Sequence, residues 1–120
     1  MFEEMMKNYI KSNLEIDIRP SFGIGEYPIF VYVHTPITAG HINQSQYEIK
    51  IVANDLDQAI GYRDRFIELL NLENQDKTIV FEDFAFRPSL SGGGQLYNDS
   101  IQSWELSLIF IIKWRKKNGR

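Results

Sequence analysis

Cysteine is absent from this 120-residue chain. Disulfides and thiolate metal sites are therefore excluded, and stability rests on packing and hydrogen bonding. Long hydrophobic runs are missing as well: no apolar stretch approaches the ~20 residues that a membrane-spanning helix needs. The first residues lack a basic segment followed by an apolar one, so no signal peptide is expected and folding is expected in a cytoplasm. A net charge of −3 gives no general reason to look for nucleic acid or an anionic membrane. At this length one domain over residues 1–120, with a core of its own, is expected.

Catalytic chemistry is equally scarce. His34 and His41 are the only histidines, and set beside Glu26 or Glu48 across a loop they match no metal-ligand spacing. Ser89 and Ser91 neighbour glycines without forming a nucleophile elbow. The run Gly92-Gly93-Gly94 lacks the lysine and the following helix that a phosphate cradle requires. Asp55, Asp57, Asp64 and Glu68 fall on the outside of a helix. No enzyme, metal site or cofactor is expected from these residues.

What the chain does have is a long alternating run at its C-terminal end. Trp104, Leu106, Leu108, Phe110, Ile112 and Trp114 share one parity, while Ser103, Glu105 and Ser107 begin the other; this is the pattern of a strand with one buried face. The stripe reads first as a core face. Thirteen or so residues at ~3.3 Å each would span ~43 Å, against a diameter of ~35 Å for a spherical chain of this size. Such a strand must bend or overrun its own globule, a first hint of an assembly protein. Five of the thirteen basic residues, Lys113, Arg115, Lys116, Lys117 and Arg120, lie in the last eight positions, and residues 1–112 carry a net of −8. Residues 115–120 therefore read as a flexible basic tail, either solvated or meeting phosphate or an acidic neighbour.

Elsewhere, Phe2, Met5, Met6, Tyr9 and Ile10 recur at helical spacing over 2–12, with Glu3 and Glu4 in the first turn, Lys11 in the last and Asn13 as a stop. Leu14, Ile16 and Ile18 alternate with Glu15, Asp17 and Arg19, a short strand or extended link ended by Pro20. Residues 29–34 are rich in β-branched and aromatic side chains, as a strand buried on both faces would be. Residues 35–45 read as a loop, and 46–53 as the antiparallel partner of the first strand. A second helix starts at a cap on Asn54 or Asp55 and ends near Asn71. Residues 78–86 form a strand closed by Pro88, and 87–100 a glycine-rich loop. The expected fold is α+β: about four mostly antiparallel strands packed by two helices in the order α-β-β-α-β-β.

That order carries a set of phrases: Glu26-Tyr27-Pro28-Ile29-Phe30-Val31-Tyr32, Tyr47-Glu48-Ile49-Lys50-Ile51, Asp57-Gln58-Ala59, Gly92-Gly93-Gly94-Gln95-Leu96-Tyr97 and Ser103-Trp104-Glu105-Leu106. Together, across about residues 2–117, they resemble the tail-terminator (minor capsid, head–tail joining) proteins of long-tailed phages and prophages. The resemblance implies a structural virion protein at the tail–head junction, made in the host bacterial cytoplasm. It would act as a hexameric ring that caps the tail tube, ends its polymerisation and docks the head connector. The implied partners are other copies of the chain, the major tail tube protein and a head-completion protein; DNA would only pass through the lumen, and no membrane is involved. An acidic bulk would suit a channel wall that repels phosphate.

Candidate interface residues are Gly92, Gly93, Gly94, Gln95 and Tyr97 in one loop, Thr35, Thr38 and His41 in another, and Lys116 and Lys117 in the tail. Deletion of 92–99 is expected to leave a folded protein that fails to join tails to heads. Two alternatives stay open: another connector protein, such as a stopper or tube-like subunit, and a small nucleic-acid- or ligand-binding module using the basic tail and sheet aromatics.

Overall fold

A computed structural model describes residues 2–20, 26–38, 43–72 and 77–117. The helix α1 (Phe2–Leu14) buries Phe2, Met5, Met6 and Ile10, the apolar stripe that its spacing dictates. It stops at Glu15, not at Asn13. Glu15 adopts the left-handed conformation (φ 59°) while its N–H still bonds Lys11 O, a geometry that cannot propagate a right-handed helix. Asn13 instead turns its amide back onto Tyr9 O.

The strands are β1 (Arg19–Pro20), β2 (Ile29–Thr38), β3 (Asn43–Ala53), β4 (Ile79–Phe81), β5 (Phe84–Asn98) and β6 (Ser103–Lys116), with α2 (Leu56–Leu70) between β3 and β4. The class is α+β, but the sheet has six strands in the order β1-β2-β3-β6-β5-β4 rather than about four. It is also mixed, since β1 runs parallel to β2. The single strand expected over 78–86 is instead β4 and the start of β5, folded on each other as a tight hairpin with Phe81 opposite Phe84, and the short strand or link expected up to Pro20 pairs only at its last two residues, as β1. The hairpin expected over 29–53 is present, but the loop expected over 35–45 largely is not. Pairing continues from Thr35↔Gln46 to Thr38↔Gln44 across a bulge. Residues 39–42, His41 among them, lie outside the described residues.

The largest correction concerns 87–100. Residues 84–98 form one strand, paired with β6 from Phe84↔Lys116 to Asn98↔Ser103 with a register shift between Leu90 and Gly92. Pro88 does not end it. Its carbonyl points away from β6 and accepts from Leu72 N–H, so the missing proline donor faces an edge and not the ladder. Three glycines cost ~0.5–1 kcal/mol each in a strand. That is less than the ~1.5–3 kcal/mol contributed by each large side chain buried along the partner strand, where Leu106, Phe110 and Ile112 are wholly enclosed. The alternating stripe of β6 thus recruits a neighbour that has little strand propensity of its own.

Both helices pack on one face of the sheet. Residues directly opposite one another share a face, so Phe30 and Tyr32, Tyr47, Ile49 and Ile51, Phe84 and Phe86, and the even residues of β6 meet α1 and α2 in one continuous core. Trp114 closes one end by stacking on Phe2 at 4.4 Å. Among the described residues the opposite face has a small buried cluster of Ile29, Val31 and Val52. The molecule measures 47 × 28 × 25 Å, and a 14-residue β6 at ~3.3 Å per residue covers ~46 Å. The long strand therefore neither folds back nor overruns the molecule. The spherical assumption fails because β3 and β5 extend alongside it.

Candidate interaction surfaces

Of the ten residues singled out from sequence, the nine that are described do not converge. Gly92, Gly93, Gly94, Gln95 and Tyr97 lie on β5, towards the end of the sheet formed by the 99–102 turn. Thr35 and Thr38 lie on β2, and Lys116 on β6, at the other end; Lys117 follows it, its N–H bonded to Asp83 O at 2.6 Å. Of the expected basic tail, Arg115 and Lys116 are paired strand residues opposite Ala85 and Phe84.

The register shift at Ser91 sets how the glycine segment presents itself. A bulge adds a residue and reverses the parity that follows. Gly93, Gln95 and Tyr97 therefore share the helix-covered side with Leu108, Leu106 and Trp104, while Gly94 and Leu96 share the other with Ser107 and Glu105. Tyr97 leans edge-on against Trp104 at 5.1 Å. A Cβ on Gly93 would stand 2.2 Å from Ser107 O, whereas Gly92 and Gly94 have open space around them. Only the middle glycine is demanded by packing. Because residues 92–98 hydrogen-bond to β6, the deletion proposed for a loop would strip a strand from the sheet.

A polar network that the sequence did not signal lies under Trp114. Its indole Nε1–H donates to Ser45 Oγ at 3.0 Å. The same oxygen lies 2.9 Å from His34 Nε2, and His34 Nδ1 is 3.8 Å from Glu3 Oε1. Serine, histidine and a carboxylate in line resemble a hydrolytic triad. Ser45, however, is 1% exposed and its oxygen already holds the indole proton, so no substrate carbonyl reaches it. The network instead ties α1, β2, β3 and β6 together. Only the pairing of β3 with β6, which sets Ser45 beside Ile112 and Trp114, reveals it.

Nearby hydroxyls serve the core in the same way. Burial pushes the Tyr47 phenol far above its ordinary range, helped by Tyr32 and the Glu3 carboxylate. Burial, then Glu3 and Glu4, raises Tyr32, and burial raises Tyr9. These groups stay protonated at neutral pH. Among the described residues no group of histidine, aspartate and glutamate side chains is placed to hold a metal ion, and no helix is long and apolar enough to cross a membrane.

Three surfaces remain as candidates. On the face away from the helices, Arg87 stands directly opposite Lys113, with Arg115 opposite Ala85, beside a groove of about 220 Å³. The same face carries Val33, 51% exposed. The third surface is the outer edge of β5 with the groove between it and α2, about 370 Å³ in volume. No protein-family model matches the chain, and neither does any curated protein.

Proposed function

We propose that this chain is a structural virion protein that caps the tail tube of a long-tailed phage, ends its polymerisation and offers a docking surface to the head connector, as a head-to-tail ring of six copies. The observation that carries this reading from the fold is the one-sided sheet. Helices cover one face and leave the other open, so the two sides of the molecule differ in composition. A head-to-tail ring needs two unlike surfaces on each copy, which such a sheet supplies. The resemblance across residues 2–117 supports the specific role.

The test is genetic and structural together. Removing the gene from the phage or prophage that encodes it should yield filled heads alongside unattached tails of uncontrolled length, with rescue from a plasmid copy. Purified protein at high concentration should give six-fold rings by negative-stain microscopy. Normal particles from the deletion strain would end the proposal.

The Arg87, Lys113 and Arg115 group favours a second reading, a small nucleic-acid-binding module. Three phosphate contacts would give an affinity falling with salt at a log–log slope of about −3. Fluorescence anisotropy of a labelled DNA duplex between low and moderate salt measures that slope, and a flat response excludes the module.

A further inference from the structure

From the β5 edge and its groove, we infer that an extended segment of another protein, carrying a carboxylate side chain, docks on β5 as an added strand. Four observations converge here. Beyond Phe86 no described strand pairs with the outer side of β5; Leu72 N–H and the Asn71 side chain satisfy it only at Pro88 and Leu90. Residues 91–98 contain no charged residue and no proline, so past the bulge at Ser91 the side-chain devices that usually keep an edge from pairing are missing.

The same segment displays Leu96 and Tyr97, 63% and 41% exposed. On its helix side Gly93 leaves the backbone bare beneath Arg63 and Ile67, which with Gln95 shape the groove. A strand flanked by a helix with a cleft between them is the geometry in which strand addition works: main-chain bonds supply affinity and alternate side chains enter the cleft.

The Arg63 side chain specifies the chemistry of the occupant. Among the described residues its buried Nε–H has no hydrogen-bond acceptor; Asp64, the carboxylate they set beside it, lies 3.5 Å away and takes only a long bond from Nη2. The side chain is a third exposed, so the open part of its guanidinium can take an oxyanion from the groove. A second copy is the poorer occupant. Its own β5 edge over 91–98 holds no acidic residue, and neither does its β2 over 33–38. The segment that fits alternates apolar side chains, one parity meeting Leu96, and places an aspartate or glutamate of the other parity at Arg63. This inference goes beyond the ring and does not depend on ring closure.

The test uses the whole protein and a blocked nonapeptide, acetylated and amidated, of alternating valine and threonine around one central glutamate, with the glutamine peptide as control. Amide exchange by NMR should slow over residues 91–98 on saturation. The glutamate peptide should bind roughly tenfold more tightly than its control, and Arg63→Gln should abolish that preference. The glutamine peptide keeps the experiment decisive if the Arg63 variant fails to fold. Three results would overturn the inference: no shifts at about 1 mM peptide, equal affinity of the two peptides, or protection of 91–98 by self-association without peptide. None of them bears on whether tails lengthen without the gene.

Discussion

At the scale of single residues, Gly93 shows how one atom can matter more than a motif. The three glycines look alike in sequence, and flexibility or close backbone packing accounts equally well for each. The structure separates them, because only Gly93 would drive a Cβ into a main-chain carbonyl, 2.2 Å away, which has no side-chain torsion to yield. Gly93→Ala should therefore cost about 1–3 kcal/mol of overpacking and lower the thermal midpoint by roughly 4–15 °C. Gly92→Ala and Gly94→Ala should match or slightly exceed the parent, since alanine loses less entropy on folding. Three calorimetric scans decide it; equal midpoints for all three variants would refute the close approach.

Tyr47 gives a second prediction at this scale. A phenol held neutral in the fold but free to ionise near its ordinary value of 10.0 when unfolded makes the unfolded chain the weaker proton binder above that pH. Stability is then fully present below about pH 10 and declines as pH rises beyond it, by up to ~1.4 kcal/mol per pH unit per such group. Tyr47→Phe should flatten the alkaline limb of a urea-midpoint series by about one proton. Its long bond to Glu3 O, 3.5 Å, contributes little at neutral pH. An unchanged slope would show that Tyr47 ionises in the folded protein.

At the scale of elements, legibility followed the strength of local signals. Both helices were readable because spacing, dipole-matched charges and a capping aspartate agree; Asp55 does accept from Asp57 N–H at 3.1 Å. The β6 stripe was readable because strict alternation over so many residues has no other use. What was not legible was β5. Pro88 and three glycines are local arguments against a strand, and they lose to a non-local one, the need of β6 for a hydrogen-bonding neighbour along its whole length. The extension of β2 through Pro36 was hidden in the same way, by a turn residue on a strand with a bulge. The consequence is testable. Deletion of 92–99 removes half of β5 and opens the ladder on β6, so it should abolish cooperative unfolding by circular dichroism. A sharp thermal transition in that variant would mean that the segment behaves as a loop after all.

At the scale of the whole molecule, the charge division seen along the chain is only partly a division in space. Antiparallel pairing brings the acidic Glu82–Asp83 turn against Lys116 and Lys117, and α1 begins with Glu3 and Glu4 near Trp114. The basic C-terminal end thus has acidic residues distant in sequence as neighbours, and polarity of ends alone is a weak basis for assembly. The two faces differ more than the two ends do.

That difference makes the helix-free face the surface on which the ring reading stands or falls. Val33 is half exposed there, points away from both helices and lacks any core role, so a lysine in its place should change folding stability by no more than ~0.5 kcal/mol. Buried between copies, the same lysine would be desolvated without a partner, a cost of several kcal/mol repeated at each of the contacts in a closed ring. Val33→Lys is therefore expected to melt like the parent, to form no rings under the microscope, and to leave a deletion strain producing unjoined tails. A variant that is equally stable and still assembles and complements would show that copies do not meet across this face, and the one-sided sheet would no longer support the ring.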